Sequence, residues 1–528
     1  MASDGPAAPP SLSNPPHLHL PLPHTSISRQ ASAIADLLGD ASVQSPHVRH
    51  AAAFAVPAHP SELAPPSELG LPSVESRCSS FDSLASAPTS PSKAKYQAAR
   101  ARRGERRTPS DDEADGDERG KRQSVGSALS RADSSEDGTP PAIRVVDLFS
   151  PGMLRIPVFR IPSLLPLPAS SGGAGVVLAF AEARPALHDA GVIDLMLRRS
   201  TDGGLTWGAA RRIVTGESLG RANCATVGNP TALFDAVTEK VWLLLCSNHA
   251  DDAEWMIHAR QGKDTRRVWV TSSADYGLTW APPAEITSSV KRKNWTWYAV
   301  GPGVGVQLSS GRLVVPANHA EDVAEPHHPY LTAARRSRMV AHCFYSDDHG
   351  ASWRLGGVGA PHTNEAQLAA LPSGELLLNC RDWSGAFRRV VQTSADGGAS
   401  WGPPRHDAAL LEPSPQGCQA SLLALPSAGG EGEEEGGVRR EKARRRRSRG
   451  GGGGVVLFCN PASTRREMLT LRRSDDGGRT WGGRLVLEEG AAAYSCLGML
   501  DARTVGVLYE RADCISFAAV PLDAIGAA

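Results

Sequence analysis

The sequence predicts an all-β fold assembled from repeated multi-stranded blades, a β-propeller, and three observations carry the prediction. First, the pattern Ser-x-Asp-x-Gly-x-(Thr/Ser)-Trp occurs five times, from Ser200 to Trp207, Ser273 to Trp280, Ser346 to Trp353, Ser394 to Trp401 and Ser474 to Trp481. Second, the copies are spaced by 73, 73, 48 and 80 residues, longer than most solenoid repeats and suited to a unit of several strands. Third, apolar strand-like runs surround every copy, among them "VVLAFAEA", "KVWLLLC", "RLVVPA", "ELLLNC" and "VVLFC", and long amphipathic helical patterns are absent.

Within each copy the residue types suit a hairpin staple. The Asp carboxylate can accept backbone N–H groups two or three residues on, the glycine supplies the positive φ of a tight turn, and the tryptophan returns an apolar face to the sheet. The run "DDGG" also resembles part of a calcium loop, but the later oxygen ligands and closing Glu of an EF-hand are missing, so the repeat is read as structural.

Outside the repeats two segments have biased composition. Residues 1–143 are rich in Pro, Ala, Ser, His and mixed charge without a period of 2 or 3.6, and such a chain buries too little apolar surface to offset its ordering entropy. They are expected to be disordered. Inside them the basic "KAKYQAARARRGERR" precedes the acidic "SDDEADGDE", read as a solvated polyampholyte in preference to an import or docking element, although the segment offers a tail for unknown partners. A second stretch, 429–454, joins an acidic block to a basic block between glycines and is expected to be a disordered insertion at a loop tip.

Bulk properties narrow the function classes. Fifty-six basic and 56 acidic residues cancel, so no whole-molecule field favours nucleic acid or an anionic membrane. Nine cysteines are spread singly, without the close pairs of a zinc or redox site, and suggest reduced, mostly buried thiols. The amino terminus lacks the basic start and apolar core of a secretion signal, and no apolar run reaches the roughly 18 residues of a membrane span. A cytoplasmic setting is expected.

The five repeats resemble the Asp boxes of the sialidase (neuraminidase) superfamily, and residues 144–528 look like a six-bladed sialidase propeller. Asp boxes also occur in propellers that only bind partners, so activity has to be argued from a site. The resemblance implies a sialylated glycan as substrate, no metal and no cofactor. Sialic acid carries a carboxylate on its anomeric carbon, and arginine matches it with paired N–H donors. Arg160 in "FRIPSLL", Arg381 in "LLLNCRDW" and Arg466 in "NPASTRREMLTL" resemble the family's carboxylate-binding triad. Arg381 and Arg466 stand 13 and 8 residues ahead of an Asp box, which places each on an inner part of its blade.

Two arginines next to these are read differently. Arg155 opens an earlier Arg-Ile-Pro, and residues five apart in a strand face opposite ways, so Arg160 is assigned to the pocket and Arg155 to the surface. Arg465 is set aside for Arg466, which stands three before Leu469 in the family-like R-x-x-L.

The substrate carboxylate also disfavours an anionic nucleophile, and sialidases use tyrosine. Tyr494 in "AAAYSCLGML" resembles that nucleophile, with Glu365 in "HTNEAQL" as its base. Asp189 in "HDAGVID", five residues after Arg184, resembles the acid/base aspartate, and Arg184 the arginine beside the sugar. Glu510 in "VLYERAD" resembles the carboxylate that orients the first arginine, and Asn229 in "GNPTAL" a pocket-edge residue, with an ordinary turn as its alternative. "WTWYAVGPGVGVQL" is expected to be packing, with Trp295 or Tyr298 near the acyl group. His327 and His328 read as an exposed loop pair, and the loop 316–331 is expected to shape the aglycone or glycerol side. Together these features imply a retaining exo-α-sialidase. The alternatives are trans-sialidase activity, a preference for a deaminated sugar, a non-catalytic propeller that binds glycan or protein, or a propeller that is only the scaffold for the head and the basic insertion.

Overall fold

The computed structural model describes residues 143–169, 171–221, 224–322, 337–413, 415–426 and 454–526. The readings made for residues 1–142, for the charged insertion up to residue 453, and for His327 and His328 fall outside them. Almost every described element is a strand; the α-helices are two short turns, Glu254–His258 and Thr287–Val290.

The strands form five hydrogen-bonded sheets. One runs in the order Val158–Pro166, Val177–Arg184, Asp194–Ser200, Arg211–Val214, and a second is built on Ala225–Asp235, Lys240–His249 and Arg267–Ser273. A third holds Trp295–Val300, Leu313–Asp322, Ser337–Ser346 and Arg354–Pro361, and a fourth Thr363–Ala370, Leu376–Asp382, Arg388–Ser394 and Arg405–Leu411. The fifth has seven strands because the 17-residue strand Gly483–Met499 pairs first with Glu467–Ser474 and then, past a shift of register, with Thr504–Arg511. The first strands Val158–Pro166, Ala225–Asp235, Thr363–Ala370 and Ser421–Ala424 pack in succession around a common centre with the second half of Gly483–Met499 and the third sheet between them. The arrangement is all-β and propeller-like. Cys514–Pro521 pairs with both Thr504–Arg511 and Arg144–Phe149, tying the first described strand to the last.

Each Asp box begins at the serine that ends the third strand of its group: Ser200, Ser273, Ser346, Ser394 and Ser474. The carboxylates reach further than the residue types suggest. In all five boxes Oδ1 accepts the N–H four residues on, at Thr206, Thr279, Ser352, Ser400 and Thr480. Oδ2 accepts the hydroxyl of that same residue, and the serine hydroxyl bonds Oδ1. Both carboxylate oxygens are therefore used by the turn itself, which spans more chain than a two-residue hairpin. Glycine is obligatory in the third box: Gly350 has φ +86°, and a Cβ there would stand 2.3 Å from Trp242. The box tryptophans close onto neighbouring aromatics, Trp207 edge-on to Phe517 at 5.1 Å and Trp353 to Phe344 at 5.7 Å. Six of the eight described cysteines are buried, and all eight are unpaired.

Candidate active site

Two irregular strands prepare the site. In Val158–Pro166 the register slips between Arg160 and Ser163, with Ile161 at φ +61°. A β-branched residue rarely adopts that conformation. The slip is tolerable because the next residue, Pro162, has no N–H to orphan, and the Ile161 N–H donates to Glu510 Oε1 at 2.9 Å. Glu510 also accepts from Arg160 Nε at 3.1 Å and Nη2 at 3.2 Å, and from the Tyr494 N–H at 3.2 Å. The Ile-Pro step thus fixes the backbone behind the guanidinium. The same device recurs at Asn229-Pro230: Asn229 has φ +58° at a register slip, and its N–H donates to Glu182 Oε1 at 2.6 Å.

Eight of the residues singled out by sequence line one cavity of about 260 Å³: Arg160, Arg184, Asp189, Asn229, Glu365, Arg381, Arg466 and Tyr494. Glu510 stands behind Arg160 and does not line it. A larger, shallower depression of about 780 Å³ around Arg312, Asp347 and Glu375 lies apart from all of these residues.

At the centre Tyr494 Oη donates to Glu365 Oε1 at 2.7 Å, and Arg381 Nη1 donates to Glu365 Oε2 at 2.7 Å and to Tyr494 Oη at 3.3 Å. Arg381 Nε is anchored on the Gln416 carbonyl at 2.6 Å. The guanidinium carbons of Arg160 and Arg466 stand 5.1 and 5.7 Å from the centre of the Tyr494 ring. The Arg466 guanidinium makes no hydrogen bond or ion pair among the described residues, while its carbonyl accepts the Ala492 N–H at 3.0 Å. Burial, and then the Glu365 charge, push the Tyr494 phenol well above its ordinary range, against the opposing pull of Arg381, Arg466 and Arg160.

On the other side Arg184 Nη1 donates to Asp189 Oδ1 at 2.6 Å, and Arg160 Nη1 lies 3.8 Å from the same oxygen. Arg184 Nε is held by Glu182 Oε2 at 2.7 Å. Partial burial raises the Asp189 carboxyl, but Arg184 and Arg160 more than offset it and hold the group below the usual carboxylate range. The two arginines therefore favour the ionised form of Asp189.

Several expectations need correction. Arg155 is exposed, but it sits in the one-turn helix Met153–Arg155 and not in a strand, so strand parity is not what separates it from Arg160. Arg381 lies at the end of a second strand, and Arg466 in the turn just before Glu467–Ser474; neither is on the innermost strand. They converge because the cavity is at the strand ends, not midway along the axis. Arg465 points away, 80% exposed and paired with Glu467. Trp295 and Tyr298 are core residues, 2% and 0% exposed, while Trp297 and Ala299 line the cavity. A register slip between Trp295 and Tyr298 breaks the alternation that their spacing suggests.

The cavity wall also includes residues that no motif flagged. Arg266 donates to Asn248 Oδ1, Asn229 Oδ1 and the Tyr298 carbonyl and lies 4.2 Å over Trp297. Asn318 is fully buried, and among the described residues neither of its amide atoms nor Trp383 Nε1 has a hydrogen-bond partner. Asn318 falls within the loop and strand 316–331 expected to shape one side of the site; the others look like ordinary strand residues.

The profile of the BNR repeat-like domain family matches residues 175–507. The chain is 31% identical over 340 residues to a sialidase of Bacteroides fragilis, covering 62% of this chain and 56% of the relative. It is 34% identical to human sialidase-4, covering 51% and 54%, and 30% identical to mouse sialidase-2, covering 54% and 73%. It therefore spans about half the length of the first curated relatives it matches. Among solved structures, the Hadza microbial sialidase Hz136 superposes with a TM-score of 0.60 at 29% identity, covering 72% of this chain and 69% of that one. With its repeats, cavity and relatives in agreement, the chain belongs to the sialidase family.

Proposed function

We propose that the protein is a retaining exo-α-sialidase that hydrolyses terminal sialic acids from glycoconjugates. The carrying observation is the convergence of three guanidinium groups from distant parts of the chain on one phenol hydrogen-bonded to a carboxylate. Arg160, Arg381 and Arg466 clamp the substrate carboxylate; Arg466, which has no counter-ion among the described residues, supplies the strongest unspent charge. Glu365 takes the Tyr494 proton as Oη attacks the anomeric carbon, so the raised phenol is deprotonated only as the bond forms. Asp189 gives a proton to the departing glycosidic oxygen and later takes one from the water that releases the sugar. Two inversions leave the anomeric configuration retained.

Asp189 must first acquire that proton. Substrate supplies the means: its carboxylate offsets the field of Arg160 beside Asp189, and a ring hydroxyl on Arg184 weakens the other partner, so the Asp189 pKa rises on binding. We read the seven-stranded sheet as two blades sharing Gly483–Met499, which makes a six-bladed propeller, and the unpaired, mostly buried thiols support a cytoplasmic setting. A fluorogenic aryl α-sialoside tests the assignment. Tyr494→Phe should lower kcat/KM by about 10²- to 10⁴-fold; wild type no faster than a Tyr494→Phe, Asp189→Ala double variant overturns it.

A further inference from the structure

Two buried charges in the cavity wall have no part in the chemistry above. Glu182 and Arg266 are 2% and 3% exposed, and both line the cavity with Asp189. A continuous run of hydrogen bonds joins them to that aspartate. Arg266 Nη2 donates to Asn229 Oδ1, and the Asn229 N–H donates to Glu182 Oε1 at 2.6 Å. Arg184 Nε donates to Glu182 Oε2 at 2.7 Å, and Arg184 Nη1 to Asp189 Oδ1 at 2.6 Å. The backbone is shaped around this run. Asn229 holds φ +58° where it presents its N–H to the buried carboxylate, and a Cβ on Gly228 would stand 2.5 Å from Glu182 Oε1.

Asp189 is the member that depends on the others. Its side chain is 54% exposed on the loop 185–192, and the loop has few other ties. The Leu187 carbonyl accepts Arg184 Nη1 at 3.3 Å, the Gly191 N–H donates to the Ala250 carbonyl at 2.8 Å, and the Gly191 carbonyl accepts Thr226 Oγ1 at 2.7 Å. Arg184 thus holds both the acid and the turn that carries it, and Glu182 holds Arg184.

The two buried charges act on Asp189 with opposite sign. Glu182 offsets the charge of Arg184 next to the acid. Arg266 donates to neutral acceptors, the Tyr298 carbonyl at 2.9 Å, Asn248 Oδ1 and Asn229 Oδ1, and forms no ion pair among the described residues, so its field reaches the acid uncancelled. Burial raises the Asp189 carboxyl, and Arg184, Arg160 and then Arg266 lower it. The other charged or titratable groups around the acid are Arg160, paired with Glu510; Glu254, which lines the cavity and pairs with His258; and His188 on the same loop.

We propose that Glu182 and Arg266 are positioning residues for the proton donor: through Arg184 and Asn229 they aim Asp189, and their opposed charges set how firmly it holds its proton before transfer. The role given to Asp189 rests on the sialidase reading.

The test follows kcat against pH on an alkyl-linked sialoside, whose departure needs the acid, and on a fluorogenic aryl sialoside, whose departure does not. Wild type is compared with Glu182→Gln, Arg266→Met and Arg266→Lys in the full chain. The descending limb of the alkyl profile reports the group that must stay protonated. Glu182→Gln leaves the Arg184 charge unopposed, so this limb should move to lower pH by about 0.5–1 unit; Arg266→Met removes a cation, so it should move a similar distance to higher pH. Arg266→Lys keeps the charge and should leave the limb near that of wild type while losing the fork that holds Asn229. Glu182→Gln should lower alkyl kcat on the order of tenfold more than aryl kcat. Glu254, His258 and His188 are common to every sample, so their titration cancels in the comparison.

Limbs that stay in place or move the same way in Glu182→Gln and Arg266→Met overturn the inference and leave the sialidase reading standing, as do equal losses on both sialosides, which make the two residues structural only. If Glu182→Gln does not fold, an Arg266→Met limb that fails to move relative to Arg266→Lys overturns it equally. Wild type inactive on both sialosides removes the sialidase reading and this inference with it.

Discussion

Arg381 and Arg389 lie eight residues apart on neighbouring strands, both buried and both paired to a glutamate. Arg389 is saturated: Nε and Nη2 donate to the Asn379 side chain and carbonyl, and Nη1 to Glu412 Oε1 at 2.6 Å and the Cys418 carbonyl at 2.9 Å. Glu412 Oε2 in turn accepts the Asp382 N–H at 2.7 Å. Arg381 uses Nε and Nη1, and its Nη2 has no acceptor among the described residues. One ion pair closes on itself and holds Glu412 and Cys418, near the Gln416 carbonyl that steadies Arg381; the other keeps donors facing a cavity. What separates a structural arginine from the one proposed to bind substrate is the donors left over, not burial or partner type.

That contrast is open to attack from both sides. The largest effect is expected at Arg389→Met, which leaves Glu412 uncompensated and should cost about 3–5 kcal/mol of stability, read by denaturant unfolding. Burial already raises the Glu412 carboxyl against the pull of Arg389, so the variant should regain part of the loss on acidification. Arg381→Lys should do the reverse: little change in unfolding, but kcat/KM on an aryl sialoside lower on the order of 100-fold, because the ammonium cannot bridge Glu365 and an incoming carboxylate. If both variants lost stability alike, the distinction would be void.

A finer probe is Asp189→Ala. Aryl sialosides, whose phenolate departs unaided, should lose far less kcat than alkyl-linked sialosides, whereas equal losses on both would assign Asp189 to binding. The smallest effect belongs to the Asp boxes. Their hydrogen bonds hold Asp202, Asp348 and Asp396 down to about 2, and the same bonds outweigh burial to bring Asp275 and Asp476 to about 2. A carboxyl lower in the folded than the unfolded state stabilises fully above its unfolded pKa, near about 4, and loses that contribution as pH falls toward the folded value. Replacing Asp202 by Asn should flatten the pH dependence of unfolding between about 4 and 2 and leave the cavity untouched.

Sequence legibility followed the same division. Arg160, Arg184, Asp189, Asn229, Glu365, Arg381, Arg466 and Tyr494 carry short motifs and meet in one cavity. Trp297 was hidden because a register slip inverts the alternation that favours Trp295. Asn318, Glu182 and Arg266 were hidden because strand residues of those types have no spacing signature; only the fold reveals which end of the strand they occupy. Arg389 could not be told from Arg388 beside it, since saturation depends on Asn379 and Glu412, far along the chain. Nor does any pattern show that Gly483–Met499 runs unbroken between two strand groups.

The pairing of Arg144–Phe149 with Cys514–Pro521 has a consequence for how the molecule comes into being. The earliest of the described strands has no neighbour until the latest is made, and Arg160 waits 350 residues for Glu510. Synthesis therefore leaves that edge unpaired until Cys514–Pro521 has emerged. A nascent chain halted anywhere before Glu510 emerges lacks the carboxylate that holds the Arg160 guanidinium, so the proposed hydrolysis is expected only from chains that extend past Glu510.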